Sequence, residues 1–90
     1  MISVCIPYSK EACAVAAESN GYELGTIENS GYSFEGHYPT KGCYVYVNGQ
    51  FEGLVYYGEH GTIAQMKEEP VSPQSRPKGY DCGNRTYSCG

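Results

Sequence analysis

Residues 42–49 read Gly-Cys-Tyr-Val-Tyr-Val-Asn-Gly, "GCYVYVNG". The stretch alternates: Val45 and Val47 on one side, Tyr44 and Tyr46 on the other. Period-2 alternation of β-branched and aromatic residues is the mark of a strand with two dissimilar faces. Asn48-Gly49 then signals a reversal. The returning strand is Leu54–Tyr57, "LVYY". A six-residue loop, "NGQFEG", sets Val47 opposite Leu54 and Val45 opposite Tyr56. A two-residue turn would set Val45 against Glu52, so the longer loop is expected. The strand opens with Cys43, and the partner of that sulfur bears on both fold and compartment.

Upstream, Ser9 is an N-cap and Glu11 an acidic first-turn residue for a helix over "KEACAVAAES". Asn20-Gly21 supplies its stop. One side of that helix carries only small groups (Ala12, Cys13, Ala16, Ala17), which let it lie close to a sheet. Ile2 to Ile6 alternates and predicts a further short strand, as does Tyr32 to Glu35. Leu24 and Ile27 anchor a loop or short strand, and "ENSG" is a turn cluster. Downstream, Thr62 and Gln65 form a capping box for a short helix of about 63–69 that buries Ile63 and Met66 and ends at Pro70. "PVSPQSRPKGYDC" is extended and proline-rich, and is ordered only by wrapping along the body. These elements predict an α+β domain: a small antiparallel sheet of three to four short strands, one main helix on a face, a second short helix, and disulfide bonds. The module spans residues 1–82, with 83–90 a loose tail.

Composition sets the outer limits. Ninety residues make one domain with a marginal core, and there is no Trp and only two Phe against ten Tyr. Such a chain needs a staple. Its five cysteines lie at spacings of 8, 30, 39 and 7 and form no close pair. Zinc ligands normally include one such pair, and the two histidines, His37 and His60, lack H-x₃₋₅-H spacing. Disulfides are therefore expected and a metal is not, which implies an oxidising compartment, extracellular or at the cell surface. The Asn84-Arg85-Thr86 sequon is a glycosylation candidate in keeping with this. A net charge of -4 and six scattered basic residues leave no footprint for nucleic acid. The longest apolar run, "CAVAA", is far too short to span a membrane. No signal peptide is legible, so an exported protein of this kind would be a mature form or an excised fragment.

The stretch Gly31–Thr62, "GYSFEGHYPTKGCYVYVNGQFEGLVYYGEHGT", resembles a small cysteine-containing module, often in tandem, of predicted secreted or surface proteins of diatoms and related algae. The likeness runs through Cys5, Cys13, Ala16, Ala17 and Gly21 in the helix region. It continues through Phe34, Gly36, Tyr38, Thr40, Lys41, Gly42, Cys43 and Tyr44, then Tyr56, Tyr57, Gly58 and Gly61. His60 stands where a Gly is usual. The exit "RPKGYDC" is also similar. The resemblance implies an extracellular or otherwise oxidised setting, neighbouring modules in the same chain, and no catalytic residues.

Four cysteines within the module, Cys5, Cys13, Cys43 and Cys82, allow three pairings. Cys13–Cys43 with Cys5–Cys82 ties helix to hairpin; Cys5–Cys43 with Cys13–Cys82 is the close alternative. Cys89 is left over. No nucleophile elbow accompanies either histidine, and Glu35, Glu52 and Glu59 read as strand-end carboxylates rather than a glycosidase pair. "GEHGT" lacks the lysine of a phosphate loop. No catalytic residue, metal or cofactor is expected. Tyr38, Tyr44, Tyr46, Tyr56 and Tyr57 are the candidate binding surface, for an extracellular glycan or a protein partner; the competing and favoured reading makes one face of the hairpin core, with the hydroxyls at its rim. The expected function is a non-catalytic structural, adhesive or glycan-contacting module. The alternatives are an accessory subunit docking on a larger assembly and, last, a miniature hydrolase.

Overall fold

The computed structural model describes residues 6–81. Cys5, Cys82, Asn84, Cys89, most of the expected first strand and the 83–90 tail lie outside them. Helix α1, Lys10–Ser19, is set by its ends: the Ser9 hydroxyl accepts from the Ala12 amide, and Asn20 closes the last turn onto Ala16 and Ala17. Gly21 follows at φ 77°, where a side chain would be strained. The face buried is the small one: Ala12, Cys13, Ala16 and Ala17.

That face rests on a five-stranded sheet. Its two long strands are β3, Gly42–Tyr46, and β4, Leu54–Gly58, paired antiparallel. Two-residue strands complete it. On the far side of β4, β1 (Glu23–Leu24) pairs with Leu54 and Val55, and β2 (Glu35–Gly36) with Tyr57 and Gly58, both parallel. On the far side of β3, β5 (Gln74–Ser75) pairs antiparallel with Val45 and Tyr46. Two short helices cap the edges. Ile27–Ser30, α2, starts from a Thr26–Asn29 capping box and ends at left-handed Gly31. Ile63–Lys67, α3, starts from the expected Thr62–Gln65 box.

The α+β class, the main helix and the disulfide are as the sequence predicts; the sheet is larger and mixed in direction. The short strand expected at Tyr32–Glu35 is Glu35–Gly36, and Ile27 opens a helical turn. In α3 Met66 is buried, but Ile63 is 52% exposed. The proline-rich segment does wrap the body, and contributes β5.

The hairpin register differs from expectation by one residue. Val45 faces Val55 and Tyr44 faces Tyr56. The loop is longer than six residues, with an added bridge from Tyr46 to Glu52. The physical reason is sorting by face, since a one-residue slip exchanges the two faces of a strand. In the observed register Cys43, Val45 and Val55 meet α1 in one core with Cys13, Ala16, Ala17 and Tyr80. Val45, Val55, Cys13 and Cys43 are its largest fully buried side chains. Cys13 and Cys43 are disulfide-bonded, their Cα atoms 5.4 Å apart. The sulfur of the central strand is thus tied to the helix, and both cysteines of the described residues are in that bond.

Candidate functional site

The same register gathers tyrosines on the face away from α1. Tyr44 and Tyr46 come from β3 and Tyr56 from β4, with Tyr44 and Tyr56 at 6.0 Å between ring centroids. The segment after β2 delivers Tyr38, 5.9 Å from Tyr56 and 6.4 Å from Tyr44. The long hairpin loop folds Phe51 back, 5.5 Å from Tyr46. Tyr32, after α2, closes the row at 5.9 Å from Phe51. Most of these pairs are edge-to-face, the arrangement favoured by ring quadrupoles.

The rings enclose an open hollow of about 280 Å³, completed by Pro39, Thr40 and Gln74. Tyr44 and Tyr56 form its floor, 4% and 3% exposed; Tyr32, on the rim, is 55% exposed. The floor is tightly built: a Cβ on Gly25 would stand 2.3 Å from the Tyr56 ring. Polar groups are paired around it. The Tyr56 hydroxyl donates to Ser30 Oγ at 2.5 Å, Tyr38 to the Ser33 carbonyl, and Thr40 to Gln74 Oε1 at 2.5 Å. The Gln74 amide in turn donates to the Tyr46 hydroxyl at 3.2 Å. Burial pushes the Tyr44 and Tyr56 phenols above their ordinary range, Tyr44 farthest, with the neighbouring phenols adding to it. Both are neutral donors at physiological pH.

Of the five tyrosines expected at a binding surface, Tyr38, Tyr44, Tyr46 and Tyr56 come together. Tyr57 does not. It lies on the helix face, packs against the core, and donates to the Tyr8 carbonyl at 2.9 Å. Its opposite placement follows from alternation along β4. Tyr32, Phe51, Thr40 and Gln74 are site residues that the sequence did not single out. Phe51 sits in what reads as a turn, and Gln74 is carried by a two-residue strand with no periodicity to detect.

Two further contacts lie near β2. His37 and His60, far apart in the chain, meet with ring centroids 4.6 Å apart. Nearby, Lys10 donates to Glu35 at 2.8 Å. This bond is the leading cause holding the Glu35 carboxyl below its ordinary range and the Lys10 ammonium above its own. No helix of the described residues is long and apolar enough to cross a membrane. Compared with known proteins, the chain matches no family model, no curated protein and no solved structure.

Proposed function

We propose that this is a non-catalytic binding module of an extracellular or cell-surface protein, and that the aromatic hollow contacts a saccharide. The observation that carries the reading is the open hollow itself, with Tyr44 and Tyr56 as its floor and four more rings around them, and the Thr40–Gln74–Tyr46 chain of polar groups at its edge. The C–H face of a sugar stacks on tyrosine rings, while its hydroxyls exchange hydrogen bonds with phenols and amides. The volume lies near the small end of ligand pockets, about 300–1,000 Å³, and suits one ring or a chain end. The disulfide between Cys13 and Cys43 supports an oxidising setting.

A glycan array followed by calorimetry on the best saccharide tests this. Tyr46→Ala and Phe51→Ala are expected to weaken binding tenfold or more. Tyr57→Phe, on the opposite face, leaves it unchanged. If no saccharide binds, or if the hollow variants bind as the wild type does, the glycan reading fails; a protein captured at unit stoichiometry would then favour the accessory-subunit alternative.

A further inference from the structure

We propose that His37, Glu59 and His60 form a surface site for a divalent transition metal of the zinc class. The three side chains come from two segments that are distant in sequence. The parallel pairing of β2 with β4 sets Gly36 beside Gly58. The Glu59 amide donates to the Gly36 carbonyl at 2.9 Å, so His37 and Glu59 leave the sheet side by side. His60 follows with left-handed backbone, φ 66°, a conformation of real cost for a residue with a Cβ. One donor atom from each of the three side chains falls within 4.8 Å of the other two.

The donor set selects the metal. Two imidazoles and one carboxylate suit zinc, cobalt, nickel or copper; magnesium and calcium prefer all-oxygen sets. Zinc bonds to nitrogen at about 2.0–2.1 Å, so tetrahedral ligands stand about 3.3 Å apart. The site requires its donors to draw in from separations of up to 4.8 Å, by rotation of the exposed His37 and His60 and the half-buried Glu59. His60 Nε2 is already 4.0 Å from Glu59 Oε1. Glu35, in the neighbouring strand, is held by Lys10 at 2.8 Å and also interacts with the Glu59 carboxyl; Glu59 is the carboxylate that reaches both histidines. Three protein ligands leave a coordination position for water or for a donor atom of a bound molecule.

The chain has only two histidines, which makes the test direct. Zinc chloride is titrated into the intact oxidised protein by calorimetry, with the imidazole nitrogens followed by NMR. One zinc per chain is expected, with both histidines shifting together. Magnesium and calcium leave the spectra unchanged. His37→Gln and His60→Asn each weaken zinc tenfold or more; Asn is chosen at position 60 because it tolerates left-handed backbone. Glu59→Gln weakens it less. The melting temperatures of the metal-free variants, compared with the wild type, identify any variant that is misfolded. Absence of binding at millimolar zinc overturns the proposal. So does zinc binding that persists unchanged in a folded His37→Gln, His60→Asn double variant.

Discussion

At the scale of single residues, two positions carry more than their size suggests. Gly58 lies where β4 meets the segment before β3, and a Cβ there would stand 1.9 Å from the Thr40 carbonyl oxygen. That neighbour is backbone and cannot rotate away. Gly58→Ala is therefore expected to destabilise the fold by about 1–3 kcal/mol, as overpacking does, measured by urea denaturation. Arg76 is the second. Its guanidinium donates to the carbonyls of Lys41, Cys43, Gln65 and Glu68 at 2.8–3.1 Å. One side chain thus binds the edge of β3, the end of α3 and the strand-forming strap. Arg76→Ala should cost about 2–3 kcal/mol, given the worth of charged hydrogen bonds. Arg76→Lys should restore less than half of it, because an ammonium lacks the fork that reaches several carbonyls at once. Nothing in "SPQSRPKG" announces this role: the acceptors are backbone atoms, and backbone atoms have no sequence signature.

At the scale of elements, α1 was fully legible. Its cap, length, stop and buried face all follow from local chemistry, because a helix hydrogen-bonds within itself. Ser9→Ala should weaken the fold by about 1 kcal/mol by thermal or chemical denaturation. The short strands were not legible. β1, β2 and β5 have two residues each, too few for periodicity, and their partners lie far along the chain. The disulfide joins the legible element to the central strand. It closes a separation of 30 residues, worth about 3–4 kcal/mol by loop-closure entropy. A Cys13→Ala, Cys43→Ala variant should lose about that much in denaturant unfolding. Peptide mapping without reductant should recover the Cys13–Cys43 linkage directly; a different pairing would contradict this architecture.

Across the whole molecule, phenols share the interior with the valines and with the small face of α1. Tyr44, Tyr56, Tyr57 and Tyr80 all have phenols raised above their ordinary value, with burial the leading cause. An acid whose pKa is higher folded than unfolded keeps its full contribution below the unfolded value, about 10. The contribution is then lost as pH climbs toward the folded value, because only the unfolded chain ionises. Stability should be flat from neutrality to about pH 10 and fall beyond it, by up to about 1.4 kcal/mol per pH unit for each such phenol. Chemical denaturation across that range, with tyrosinate absorbance as a second probe, checks the slope. Tyr44→Phe should make it shallower. A chain whose stability is unchanged well above pH 10 would contradict this account of its interior.

The sequence by itself determined the class of fold, the main helix with its caps, the two long strands, the capping box of α3 and the need for a cross-link. Each of these rests on neighbours within a few residues, or on composition. Only the tertiary structure decided the hairpin register, and with it that Tyr56 joins Tyr44 and Tyr46 while Tyr57 turns to the helix. It alone brought in Phe51 and Gln74 and set His37 against His60. Those outcomes depend on which face the helix covers and which distant strand edge supplies a partner. A local pattern constrains neither, because a strand presents both faces equally until something packs on one of them.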